Sequence, residues 1–187
     1  MLVVCLAVSQ CQGDWRRTNC LAAIGEELGQ YNGKDCARLL INDNKWSEEG
    51  RSSSDYSLSD YQEWALIFSG AYYDVMTGIA QRNIDAGMDS AIALKEAGQE
   101  AMELLVKGLT YSENSYHGPI TGAYDSYIYR KVAIAMLKVD AKENGCRAKD
   151  IITKVMRSRN ILQEGDDAST ILPYPRALSG IKTVNYS

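Results

Sequence analysis

His117 is the only histidine in the chain, and it stands in a short Tyr-His-Gly-Pro run. A zinc hydrolase of the HExxH kind needs two histidines one helical turn apart, with a glutamate between them as the base. One histidine cannot supply that site. The five cysteines, Cys5, Cys11, Cys20, Cys36 and Cys146, form no CxxC pair and follow no regular spacing. A zinc ribbon and a dithiol redox motif are therefore excluded, and reduced thiols in a reducing, cytoplasmic compartment are expected. No GxxxxGK[ST] or GxGxxG phosphate loop occurs, and no GxSxG elbow. A Ser-His-Asp triad would have to use His117, which has nothing near it in sequence to orient its ring. The adjacent carboxylates Glu26-Glu27, Glu48-Glu49 and Asp166-Asp167 do not face one another on a helix, so they read as solvated charge. The chain by itself is thus expected to be neither a metal nor a nucleophile enzyme, and to carry no cofactor.

The wider composition is that of an ordinary folded domain. The chain has 187 residues, 45% hydrophobic and 24% charged, with a net charge of −4. Lys and Arg are scattered rather than clustered among aromatics, which excludes nucleic-acid binding as an expectation.

Residues Leu2–Ser9 read as a short helix, apolar on every side. It has no positive residue before it and no small-x-small cleavage site, so it is not read as a signal peptide. It is also far shorter than the roughly 20 residues that span a bilayer. A second helix is expected from Thr18 or Asn19 to about Gly29, and a helical turn at Cys36–Ile41. The polar stretch from Asn42 to Ser59 reads as a long loop. From Asp60 onward Trp64, Ile67, Phe68, Ala71, Tyr72, Val75 and Ile79 make one apolar stripe at helical spacing. Further helices are expected over Met88–Lys107, with Ile92, Leu94, Ala101, Leu104 and Leu105 as apolar contacts and Gly108 as the stop. Two more follow over Thr121–Lys142 and Arg147–Asn160. The expected fold is all-α, a bundle of five to six helices over 1–162, followed by an irregular tail over 163–187. No segment reads as a membrane span.

Three segments in order resemble the gluzincin zinc metallopeptidases, the thermolysin-like and fungalysin-like proteins, in their C-terminal helical half. The first is Gly13–Asn19 (GDWRRTN) leading into Ile24–Gly29 (IGEELG). The second is Arg38–Asp43 (RLLIND). The third is Ser59–Val75 (SDYQEWALIFSGAYYDV), which is similar to that family's D-x-H-x-x-G-x-I-F-S-G-A-L-W-D-I helix. Downstream, Ala133–Asp140 and Gly145–Leu162 resemble the family's closing helices. Together the segments cover roughly residues 3 to 162.

The resemblance implies a fold but argues against the activity. The family's HExxH helix and glutamate ligand would lie before Met1 and are missing. Its transition-state histidine falls on Gln62, its orienting aspartate on Asp60, and an arginine that contacts the substrate carbonyl on Arg38. A glutamine amide can donate a hydrogen bond to an oxyanion but cannot change charge. Read locally, Asp60 is a good N-cap, Gln62 an ordinary first-turn residue and Arg38 a surface or cap-binding arginine. Three readings follow: a non-catalytic relative used for protein interaction or homo-oligomer assembly, the C-terminal half of a peptidase whose zinc-bearing half lies upstream or on another chain, or an unrelated helical protein. The first is favoured. Without the zinc-bearing half an apolar face is left open, and Leu2, Val3, Val4 and Leu6 are its expected residues. Zinc would enter only with that separate half.

Overall fold

A computed structural model describes residues 2–11, 13–17, 19–24, 31, 33, 38–46, 58–112 and 122–172. Within its helices and strands, the side chains of 2–4, 6, 24, 38, 58–64, 111, 112 and 122–127 are not described. The fold is all-α. Its helices are α1 (Leu2–Cys11), α2 (Leu58–Asp85), α3 (Ser90–Ser112), α4 (Gly122–Glu143) and α5 (Lys149–Ser158). The only β-ladder among the described residues joins β1 (Ala23–Ile24) to β2 (Arg38–Leu39), pairing Ala23 with Leu39 and Ile24 with Arg38 antiparallel.

Three long helices make the body of the fold. α3 packs between α2 and α4, while α5 packs against both α2 and α4, and α1 lies on α3. On α3 the buried residues are Ala93, Leu94, Ala97, Ala101, Leu104 and Gly108, one face of a 3.6-residue period. Half of that face is alanine, which lets neighbouring backbones come close. Larger side chains from the other helices fill the space: Val75 and Ile79 from α2, Met136 and Val139 from α4, and Ile152 and Met156 from α5, all at most 1% exposed. Each such side chain contributes about 1.5–3 kcal/mol by leaving water.

Gly108 does not stop α3. The helix continues to Ser112, and Gly108 is buried inside it. A Cβ at Gly108 would lie 3.2 Å from Met136 Cγ and 3.3 Å from the Met136 backbone nitrogen. The glycine is there because α4 crosses at this point. The stop signal that does operate lies earlier, between α2 and α3. Gly87 adopts φ +92°, and the Met88 N–H donates to Asn83 O at 3.1 Å, which closes α2. Asp89 then caps α3, its Oδ1 accepting from the N–H groups of Ala91 (3.0 Å) and Ile92 (3.2 Å).

The helix expected from Thr18 or Asn19 to Gly29 does not form over its described part beyond a single turn, and residues 38–41 of the helical turn expected at Cys36–Ile41 are not helical. The chain leaves the first after one turn because Ala23 and Ile24 pair with β2. Asn19 starts that turn, its Oδ1 accepting from the N–H groups of Leu21 and Ala22 at 3.0 and 3.3 Å as an N-cap does. Its amide donates to the hydroxyl of buried Tyr73 at 2.8 Å, and that hydroxyl donates to Trp15 O at 3.1 Å. Burial pushes the Tyr73 pKa up, so the hydroxyl stays neutral and able to donate. Ala23 and Ile24 leave this turn extended and take β2 as their partner, with a further bond from Leu40 N–H to Ala22 O at 2.8 Å.

Two aspartates expected or free to be solvated are instead buried. Asp140 in α4 is fully buried and accepts from the Ala148 N–H at 3.2 and 3.1 Å with its two oxygens, joining α4 to α5 across the Gly145–Cys146 turn. Burial pushes its pKa up, against the pull of that N–H. Asp166, expected as surface charge, is 5% exposed. It receives a bidentate pair from Arg130 at 2.8 and 2.8 Å and the Gln163 N–H at 2.7 Å. Burial pushes the Asp166 carboxyl up, but Arg130 and the Gln163 N–H outweigh it, and the pKa is lowered. The adjacent Asp167 is exposed and caps the turn at Ser169, as solvated charge does.

A lowered folded pKa stabilises above the unfolded carboxylate value of about 4 and is lost as pH falls through the folded value. Asp140 has the opposite sign: its contribution is present below about pH 4 and is lost as pH rises through its raised folded value. Asp166→Asn is therefore expected to cost about 2 kcal/mol at neutral pH by leaving Arg130 half-buried without its carboxylate. The gap from the unmodified chain should narrow in urea melts as pH is lowered below about 4. An equal gap on both sides of that pH would contradict the assignment.

Candidate functional site

The densest polar cluster in the fold is built on the Ser69-Gly70-Ala71 stretch of α2. Gly70 is buried, and a Cβ there would lie 2.7 Å from Asn42 Nδ2 and 3.0 Å from Arg159 Nη1. The absent side chain makes room for the Asn42 amide to reach the helix backbone and for the Arg159 guanidinium to lie against the helix. The Asn42 amide donates to Leu39 O (3.2 Å), Leu40 O (3.1 Å) and Leu66 O (3.3 Å). This clips the segment after β2 onto α2.

Arg159, just past the end of α5, completes the cluster with a side chain only 4% exposed. Its Nε and Nη2 donate to Asp74 Oδ2 at 3.2 and 2.6 Å. Its Nη1 donates to Asn42 Oδ1 and Asn44 O, both at 3.0 Å. Its Nη2 also donates to Asn42 O at 2.7 Å. These five bonds use all five donors of a guanidinium. The other Asp74 oxygen accepts from Arg16 Nη1 at 3.1 Å, and Arg16 also pairs with Asp43. Trp46, buried beside this network, donates its backbone N–H to Arg159 O at 2.9 Å and stands edge-on to Tyr129. Arg159 is saturated by the protein itself, so the network works as a lock on the fold.

A groove of about 750 Å³ runs beside the lock, between the Trp15–Arg16 turn, α2 and α5. It carries charges of both signs, among them Arg82, Lys154, Asp85 and Asp150. Arg82 is engaged by Glu100 at 2.8 Å and by Arg147 O at 3.0 Å. Among the described residues, no three His, Cys, Asp or Glu lie together as a metal-holding group.

Arg38 lies in β2, and Asp60 and Gln62 in the first turns of α2; their side chains fall outside the described residues. The Asn42 clip sets β2 beside the α2 turn at Leu66, four residues after Gln62. His117 also lies outside the described residues. So do the side chains of Leu2, Val3, Val4 and Leu6, although their helix is placed against α3. On that helix Ala7 and Cys11 are buried, while Cys5, Ser9 and Gln10 are exposed.

An apolar surface does emerge, on the outer face of α3. Ile92, expected to be an inner contact, is 51% exposed, and Met102 and Val106 are each 52% exposed, with Leu109 at 42%. The core face of α3 is phased on residues 93, 94, 97, 101 and 104, which turns Ile92 outward. Next to this face, Leu21, Met76 and Leu94 line a shallow hollow of about 510 Å³ with Met102. The spacing 92, 95, 99, 102, 106, 109 alternates threes and fours, and it was the signal available in the sequence. It was masked because half of the true core face is alanine, which gives it little hydrophobic contrast. No family model, curated protein or solved structure matches this chain. No helix of the described residues is long and apolar enough to cross a membrane.

Replacing Arg159 by Met should cost about 3–5 kcal/mol, because Asp74 and three carbonyl or amide oxygens lose a buried partner. Gly70→Ala should also destabilise, despite the roughly 1 kcal/mol by which alanine favours a helix. Gly98→Ala, where an added Cβ meets nothing within 4 Å, should stabilise instead. Chemical denaturation of the three variants checks this ordering.

Proposed function

We propose that this chain is a non-catalytic helical interaction and assembly domain built on the helical half of a gluzincin-like metallopeptidase fold. The observation that carries this reading is the outward face of α3. Four large apolar side chains stand about half-exposed there, beside an apolar hollow, and contiguous exposed apolar surface marks interaction sites. The segments that carry the family resemblance support it in a second way. Gly70, Asp74, Asp140 and Arg159 all fall within them, and each serves packing or hydrogen bonding that holds the helices together. A relative that kept its framework without its chemistry would look like this.

Zinc does not fit the residues present. The chain has one histidine, and no metal-holding group lies among the described residues. In this reading the isolated chain is not an enzyme, and its partner is a protein or another copy of itself. The described cysteines, Cys5, Cys11, Cys20 and Cys146, form no disulfide with one another, which accords with a reducing, cytoplasmic setting.

A second reading is the C-terminal half of a zinc peptidase whose HExxH-bearing half lies upstream or on another chain. The clip that holds β2, with Arg38, against the helix that begins with Asp60 and Gln62 favours it. These three positions would then line the substrate side of a cleft.

Light scattering on the purified chain separates these readings from a simple monomeric domain. Association is expected, and a clean monomer would count against an assembly role. Metal analysis should find no stoichiometric zinc; tightly bound zinc would overturn the non-catalytic reading. For the peptidase-half reading, mixing with an HExxH-bearing partner chain should restore peptide cleavage, and Gln62→Ala should reduce it. No cleavage on mixing would remove that reading.

A further inference from the structure

The turn that joins α4 to α5 carries a reactive dipeptide. Of the described asparagines, Asn144 is the one followed by glycine. Asn144 is half-buried, and Gly145 and Cys146 are exposed. Gly145 takes φ +62°, and an added Cβ there would meet nothing within 4 Å. Around the dipeptide the turn is well held. The N–H groups of Asn144 and Cys146 both donate to Asp140 O, at 2.9 and 3.1 Å, and the Ala148 N–H donates to the Asp140 carboxyl oxygens at 3.2 and 3.1 Å. Between those anchors one peptide group is left over. Among the described residues, neither Asn144 O nor the Gly145 N–H has a hydrogen-bond partner, and the Asn144 side-chain amide has none either. The Asn144 carboxamide is therefore free to turn toward the Gly145 nitrogen, and glycine places no side chain in its way. The other described asparagines differ. Asn19, Asn42, Asn83 and Asn160 are held by hydrogen bonds through their side chains. Cys20, Asp43, Ile84 and Ile161 follow them, and Lys45 follows Asn44.

We infer that Asn144 is a site of spontaneous modification, at which the Gly145 nitrogen closes on the side chain and the residue becomes aspartate or isoaspartate. The backbone nitrogen of Gly145 gives its proton to solvent and attacks Asn144 Cγ. The Cγ–Nδ2 bond breaks, and Nδ2 takes a proton from solvent and leaves as ammonia. The product is a cyclic imide that joins Cγ and the backbone carbonyl carbon of residue 144 through the Gly145 nitrogen. Water then opens the ring. Cleavage of the Cγ–N bond gives aspartate. Cleavage of the backbone C–N bond gives isoaspartate, in which the chain runs through Cβ and Cγ. Water is consumed, ammonia is released, and no other reactant is needed. Both products place a carboxylate at the C-terminal end of α4, where the helix dipole disfavours it. Isoaspartate also adds an atom to the backbone between the two N–H groups that share Asp140 O. The turn then no longer presents the N–H groups of Cys146 and Ala148 to Asp140 as before. Asp140 is fully buried, so a donor lost there is costly, and the start of α5 is loosened. The inference is independent of the interaction-domain reading.

The test ages the folded full chain at mildly alkaline pH and, in parallel, the same chain unfolded in guanidinium chloride. The tryptic peptide Glu143–Arg147 is followed by mass spectrometry. In the folded chain it should gain the mass difference between OH and NH2 and split into two chromatographic products of equal mass. The peptides that hold Asn42, Asn83 and Asn160 should keep their mass over the same time. The rate at Asn144 in the folded chain should lie within about a hundredfold of the rate in the unfolded chain, because local opening of an exposed turn is enough. A site that reacts only after global unfolding would be slowed by about 10³ or more. A folded chain slowed beyond the first limit would overturn the inference. Asn144→Gln lengthens the side chain and disfavours ring closure, so the mass gain should be lost while circular dichroism shows the fold unchanged. A gain that persists in that variant would also overturn it. Aged chain rich in isoaspartate should unfold at a lower denaturant concentration than Asn144→Asp, which has the charge without the extra backbone atom. Equal midpoints would overturn the loosening of α5.

Discussion

Arg159 carries a positive charge into a place with almost no water, and the surrounding structure is arranged to receive it. A buried guanidinium is tolerated only when its donors are filled and its charge is answered. Here the answering groups come from two separate parts of the chain, Asp74 on α2 and the Asn42–Asn44 segment after β2, and meet Arg159 just past the end of α5. If any of these moves, a donor is stranded, so the network couples their positions. Gly70 is the geometric condition for it, since a side chain at that point would occupy the space of the Asn42 amide and the guanidinium. Arg16 adds a second cation on the free oxygen of Asp74 and extends the coupling to the turn after α1.

This lock explains how a small ladder and several irregular segments stay fixed on a helical body. The ladder has only two residues on each strand, far too little to hold by its own bonds. It is held because Asn19 and Tyr73 anchor one side and Asn42 clips the other to α2. Past α5 the chain is fastened again by Arg130 and Asp166. Polar side chains buried among helices thus set where the connections run, while the apolar stripes of α2 to α5 supply the bulk of the burial.

The same division bears on function. The strongest polar constellation among the described residues is consumed by the fold. What stands exposed is apolar surface on α3. A helix with an alanine-rich inner face and isoleucine, methionine, valine and leucine outward is the reverse of the usual arrangement, in which the larger apolar residues face the core. Surface of that kind is stable in water only to the extent that something covers it.

Much of the architecture was legible in the residues. The long periodic stripes placed α2, α4 and α5, and the unbroken apolar run placed α1, because helical period is a local property of the chain. The absence of paired histidines and cysteines was equally a matter of reading. Tertiary structure decided the rest. Residues 19–24 have local helical signals, yet Ala23 and Ile24 leave the turn to pair with Leu39 and Arg38. Gly108 reads as a stop and is a crossing point, because Met136 lies against it. Asp166 reads as solvated charge and is buried, because Arg130 meets it from 36 residues away. The phase of α3, which sets its alanines inward and Ile92, Met102 and Val106 outward, follows from which neighbours pack on it. In each case the deciding partner is distant in sequence, and a local pattern holds no information about a group that only folding brings near.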